Sequence, residues 1–293
     1  MPARLPALIA RLRNLRTVWR VPLLVIAVLL FAGGTIYAIH DSGLRASDLH
    51  GLPLLVLLLA VMPATIAYSA INMVLMAQAA RVPLSFRQGV RISVFAQVAE
   101  LLPIPGGALV RTAALKRAGT STAKGAELVI SFAVLWIACG GIGAGLALAK
   151  VGWPAHLLAG GSLAVSLAIV GWLGWRHGPR VALAALSLRL GGVALVAWRL
   201  ALAFAAIGSA LPWLDSAAFA FAAILGSAAS IVPAGLGISE ALSALLAHPG
   251  GVEPAAAFLA AALSRLAGLF SNMLLALCYL AADSARPQAA ARG

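Results

Sequence analysis

The sequence predicts an all-α, polytopic helical membrane protein of about six transmembrane spans plus two re-entrant broken hairpins, the whole arranged as an inverted repeat. Three observations carry that prediction. The 293 residues are 62% hydrophobic and only 10% charged, with a mean hydropathy of +1.02, whereas soluble domains carry roughly 25% charged residues. Apolar runs of about 20 residues, the length that crosses a hydrocarbon core, recur from near residue 21 to residue 282. Two shorter apolar runs are broken, one at Pro103-Ile-Pro-Gly-Gly107 and one at Pro233-Ala-Gly-Leu-Gly237.

The elements follow in order. Residues 1–20 carry Arg4, Arg11, Arg13, Arg16 and Arg20, a basic segment suited to lie on anionic lipid at the cytoplasmic face. Val21–Ile39 is too long for a signal-peptide core and is read as the first span, crossing outward. A polar loop holds Asp41, Arg45 and Asp48, and Leu52–Met76 crosses back with Pro63 as a kink. Arg81, Arg87 and Arg91 mark the inside. Residues 92–115 then form the first broken hairpin, entering from the cytoplasm; an amphipathic surface helix followed by a loop is the alternative there. Ala126–Ala149 crosses outward, with Gly141 and Gly145 spaced for close helix packing. Leu157–Trp175 returns, residues 181–192 are read as interfacial with Arg189 in the cytoplasm, and Val193–Leu211 crosses outward with Arg199 snorkelling at its inner end. Residues 217–247 form the second broken hairpin, entering from outside. Ala255–Ala282 crosses inward, and 283–293 is a short, disordered cytoplasmic tail.

The formal charge of +13 does not point to nucleic acid. Most of the 21 Lys and Arg sit at the ends of apolar runs on the proposed inner side, as the positive-inside rule expects. That asymmetry places both termini in the cytoplasm of a multi-pass inner (plasma) membrane protein. One membrane domain, 21–282, is expected, holding repeat-like units at about 52–149 and 193–282. Aligning Pro103 with Pro233 also places Gly107 on Gly237.

The breaks are the candidate site. Non-helical backbone at membrane depth persists only where protein or a water-filled cavity satisfies it, so Pro103, Gly106 and Gly107, and Pro233, Gly235 and Gly237, mark a cavity wall. Charges at depth are costly and face cavities or partners. Glu240 follows the second break, Arg111 and Arg265 lie in apolar segments, and Glu100 precedes the first break. Arg111 and Arg265 suit a lipid phosphate, and Glu240 suits pairing with one of them. An aqueous loop with Glu240 at a helix start, or an ion pair that only fixes helix register, are the alternative readings.

Pro233-Ala-Gly-Leu-Gly-Ile-Ser-Glu240 resembles the Pro-Gly-Gly-Leu-Gly-Val-x-Glu pattern of the lysylphosphatidylglycerol synthase transmembrane region, a flippase-like family. Arg265 resembles the arginine that follows that pattern, and Gly107-Ala-Leu-Val-Arg111 resembles the family's Gly-Glu-x-x-Arg element. The resemblance covers roughly residues 52–282. Ala108 stands where the family commonly has Glu, and the family's Glu-Arg-x-x-Asp pattern is missing around Ser131–Trp136. The resemblance implies movement of a membrane lipid between leaflets, the candidates being an anionic phospholipid or a polyprenyl-linked or hopanoid-type lipid, with a lipid-biosynthesis enzyme as a possible partner. The soluble synthase domain of some relatives is expected to be absent, and lipid aminoacylation with it.

No zinc HExxH or GxSxG pattern occurs, and Cys139 and Cys278 lack metal or disulfide spacing. No catalytic residues, metal or cofactor are therefore predicted. The expectation is a lipid translocator; a scaffold of a lipid-synthesis complex and an integral-membrane lipid-modifying enzyme are the rivals.

Overall fold

A computed structural model describes residues 20–101, 105–228 and 235–290, and among these every regular element is a helix. The predicted basic segment 1–20 falls almost wholly outside the described residues, as do Pro103 and Pro233. The helices are α1 (Arg20–Ser42), α2 (Gly51–Ala80), α3 (Phe86–Ala99), α4 (Gly106–Arg117), α5 (Thr122–Ala147), α6 (Trp153–His177), α7 (Pro179–Ala206), α8 (Ser216–Ala228), α9 (Ile238–Ala247) and α10 (Pro254–Ala290). Five of them, α2, α5, α6, α7 and α10, are long and apolar enough to cross a membrane. α1, with 23 residues, packs on α10: a methyl group at Gly34 would meet the ring of Phe258.

α2 widens into a π-helical turn at Leu57–Val61, one residue before Met62-Pro63. Pro63 has no N–H to give and its ring crowds the preceding turn; the extra residue in the turn relieves that crowding, and Met62 N–H bonds Leu57 O. The sequence-predicted kink at Pro63 is thus a bulge. Leu57, Val61 and Met62 are buried there against Ala267 of α10.

The bundle has two ends. At one, α2 finishes beside the start of α5 and the end of α6: Lys124 Nζ donates to Ala80 O at 3.1 Å, and His177 Nδ1 lies 3.0 Å from Ala79 O. Leu115, Leu128, Leu173 and Ala182 pack with Ala79 and Ala80 at this end. At the other end, His50 N–H donates to Ala206 O at 2.8 Å, and Ala38, Ile207, Ala217, Ala247 and Ala255 share one core. The glycines of α5 serve close approach, as their spacing predicts. A methyl group at Gly145 would strike the backbone of Ala155 on α6, and one at Gly140 would strike Ile224 on α8.

The two short pairs α3–α4 and α8–α9 open from opposite ends. α3 begins and α4 finishes at the Ala80 end, while α8 begins and α9 finishes at the Ala206 end. Their connecting segments meet the same interior cavity.

Two sequence expectations need correction. Residues 181–192 are not a separate segment and Arg189 is not a surface residue: α7 is one 28-residue helix from Pro179 to Ala206, and it carries Arg189 into the interior. Arginine is tolerated there because its guanidinium lies over the rings of Phe132 and Trp136, 5.4 Å from each, and donates to Tyr68 Oη at 2.9 Å. The tail is helical as far as Ala290, because α10 continues without a break beyond residue 282.

Candidate functional site

The interior cavity has a volume of about 520 Å³, within the range of small-ligand sites. Both broken segments reach it: Glu100, Pro105 and Gly107 from the first, Ser227, Gly235 and Ser239 from the second. Four arginines line it, Arg111 on α4, Arg189 and Arg199 on α7, and Arg265 on α10. Among the described residues Glu100 is the one acid in its wall.

The first break is shaped by contact between backbones. A methyl group at Gly106 would overlap the carbonyl of Ala99, and one at Gly107 would overlap the Glu100 carboxyl group. Glycine at both positions lets the first turn of α4 rest on the last turn of α3. That contact sets Glu100, the residue closing α3, against Arg111, whose Nη2 donates to Oε1 at 3.2 Å. The pair is partly open, with side chains 35% and 23% exposed, so water can reach it.

The second break is tighter. Gly235 has φ +63°, and a methyl group there would overlap Gly226 O on α8. Gly237 has φ +81° and precedes α9. At both positions the left-handed backbone favours glycine. Glu240, in the first turn of α9, accepts from Gly237 N–H at 2.8 Å through Oε2. Its Oε1 accepts from Arg265 Nε at 2.6 Å, and Arg265 Nη2 also donates to Ser239 Oγ. Glu240 therefore combines the two roles its position allows, holding the start of a helix and neutralising an arginine at depth. It is fully buried behind Arg265 and does not line the cavity.

The predicted residues Arg111, Arg265 and Glu100 thus come together on one cavity, with Glu240 directly behind. Gly107 and Gly235 are in its wall, while Gly106 and Gly237 shape it from outside the lining. Arg189 and Arg199 belong to the site and escape the sequence reading. Arg199 does not snorkel to an end of the bundle; it turns into the cavity, and its Nε, like that of Arg189, is buried without a hydrogen-bond partner. Among the described residues no carboxylate lies within salt-bridge distance of either. The available signal is their spacing. Arg189, Gly192, Val196 and Arg199 lie three or four residues apart on one stripe of a long helix, and all four line the cavity. Ser227 also lines the cavity, its hydroxyl donating to Ile224 O, and no histidine does.

Chemically this wall is suited to anions. Guanidinium groups match phosphate or carboxylate oxygens in planar, paired hydrogen bonds, and two of the four are uncommitted to an acid.

A multi-pass helical membrane protein with a partly open, arginine-lined cavity between two opposed helix pairs is the class that fold and site define. Residues 172–276 match the model of the family described as the lysylphosphatidylglycerol synthase TM region. Over that stretch, somewhat more than a third of the chain, the protein is similar to this family, and the motif around Glu240 lies within it. The matched residues run from the end of α6 through α7, α8 and α9 into α10, so Arg189, Arg199, Glu240 and Arg265 lie inside the match and Glu100 and Arg111 lie before it. No curated protein matches the chain significantly.

Proposed function

We propose that the protein translocates an anionic phospholipid or lipid-linked head group between the leaflets of the plasma membrane, acting as a transporter rather than an enzyme. The observation that carries this reading is the cavity, in which Arg189 and Arg199 have no acidic partner among the described residues and both broken hairpins contribute wall. Discontinuous helices meeting at one depth from opposite sides supply the substrate path of many transporters, and the family match supports a role in membrane lipid handling.

Orientation follows from charge. The Ala80 end carries Arg81, Arg87, Lys116, Arg117, Lys124, Arg176 and Arg180, and the Ala206 end carries Asp41, Asp48, Asp215 and Glu253 with Arg45 and Lys150. On the positive-inside rule the Ala80 end is cytoplasmic, as are both termini. The α3–α4 pair is then re-entrant from the cytoplasm and the α8–α9 pair from outside.

The test is transport by purified protein in liposomes, following a head-group-labelled phosphatidylglycerol between leaflets. Wild type is expected to equilibrate the label, and Arg111→Ala and Glu240→Gln to abolish movement while still expressing. Normal transport by both variants refutes the site. In a background lacking Cys139 and Cys278, Arg117→Cys is expected to react with an impermeant thiol reagent from the cytoplasm, and Pro249→Cys from outside. Reaction of both from one side refutes the opposed hairpins.

A further inference from the structure

Charge balance in the cavity identifies the kind of head group it is built to hold. Arg111 is neutralised by Glu100 at 3.2 Å, and Arg265 by Glu240 at 2.6 Å. Arg189 and Arg199 remain, both on α7 and both lining the same space. Among the described residues no Asp, Lys or His contributes to the lining, so the described wall and the carboxylate directly behind it carry two uncompensated positive charges.

These arginines are built into the cavity rather than left at a surface. Arg189 is 6% exposed. Its ring contacts and the Tyr68 hydrogen bond fix the guanidinium plane, while its Nε stays buried and unpartnered. Gly192, one turn further along α7, makes room for the Tyr68 ring, since a methyl group there would overlap it. Arg199 has its Nε buried and unpartnered too. A buried and a half-buried cation on one stripe of a helix, with no acid beside them among the described residues, are unfavourable until an anion arrives. A singly charged phosphodiester offsets one of them and leaves the other; a doubly charged phosphate offsets both.

We propose that the cavity selects a terminal phosphate bearing two negative charges, as in a phosphomonoester or a diphosphate, over the single charge of a phosphodiester lipid. The proposal rests on the translocation reading above. Arg189 and Arg199, ten residues and about 15 Å apart along α7, favour the dianion through the charge they give the cavity from two levels, and the two neutralised arginines add hydrogen-bond donors without adding net charge.

The test compares short-chain phosphatidic acid with short-chain phosphatidylglycerol of the same acyl length, both titrated into the purified full chain in a neutral detergent. At pH 8 phosphatidic acid is expected to bind about tenfold tighter or more, the worth of a second charge-assisted contact. At pH 5.5 its phosphate gains a proton, since phosphomonoesters have a second pKa of about 6, and the advantage should shrink towards parity while phosphatidylglycerol binding stays constant. Arg199→Gln, and separately Arg189→Gln, should weaken phosphatidic acid more than phosphatidylglycerol. Equal affinity of the two probes for wild type at pH 8, or a preference that does not change with pH, overturns the charge selectivity while leaving lipid binding in place. Failure of wild type to bind either probe overturns the selectivity and the lipid reading together. The pH comparison needs no variant, so it decides the matter even where the arginine replacements do not fold.

Discussion

Glu240→Gln keeps the side chain's shape and removes its charge. In the native protein both carboxylate oxygens are committed, Oε1 to Arg265 Nε at 2.6 Å and Oε2 to Gly237 N–H at 2.8 Å, and the side chain is 0% exposed. Glutamine offers a single acceptor oxygen, so one of the two donors loses its partner and the new amide N–H₂ faces a donor. Arg265, 13% exposed, loses the carboxylate that neutralises it. Breaking a buried, hydrogen-bonded ion pair by removing one partner costs about 3–5 kcal/mol. At roughly 2–4 °C per kcal/mol for a chain of this size, thermal unfolding in detergent, followed by the fluorescence of the seven tryptophans, should fall by about 10 °C. Replacing both partners with apolar side chains, Glu240→Leu with Arg265→Met, should recover most of that loss, since a buried ion pair and an apolar pair of similar volume are often nearly equal in stability. A single variant within about 1 °C of wild type, or a double variant whose loss equals the sum of the singles, would show that the pair is not coupled and refute the reasoning.

Three further outcomes are expected. Gly106→Ala drives a methyl group into the Ala99 carbonyl and Gly226→Ala into the Ser239 backbone; each should lose about 1–3 kcal/mol by overpacking in the same unfolding assay, while Gly33→Ala, with open space around it, should lose nothing measurable. Arg189→Lys keeps the charge but gives up the flat stacking on Phe132 and Trp136, and it should weaken phosphatidic acid binding by about tenfold, because a compact ammonium does not replace a stacked, forked cation. Glu127→Gln removes the partner of Arg176, a pair 3.8 Å apart with side chains 35% and 55% exposed; denaturation should shift by less than about 0.5 kcal/mol, as for most solvated pairs.

Much of this architecture is legible in the chain because lipid solvent leaves few choices. Long apolar runs must be helices, and Pro and Gly inside them must mark places where the backbone is satisfied by other means. That logic points to both short helix pairs, to Glu100, Arg111 and Glu240 because charges beside broken runs stand out, and to Arg265 because it interrupts a long apolar run. The same logic misplaces Arg189 and Arg199. Each lies near a point where an apolar run could begin, so a charged residue there reads as the inner boundary of a span. What overrides that reading is tertiary: the Tyr68 hydroxyl and two aromatic rings arrive from α2 and α5, more than fifty residues away, and no local pattern on α7 announces them. Gly226 is similar, since nothing near it in sequence shows that the backbone of Ser239 crosses there.

The mounting of the charges has a mechanical consequence. Arg111 rides on the first hairpin and Glu240 on the second, but Arg189 and Arg199 are fixed to α7, which belongs to neither. In the proposed transport cycle, a phosphate held by that helix would keep its depth while either hairpin moved, so access would change sides around a fixed site. On that proposal, a distance label pair between α7 and each hairpin should change on one side at a time during turnover, with α7 as the fixed point between two doors.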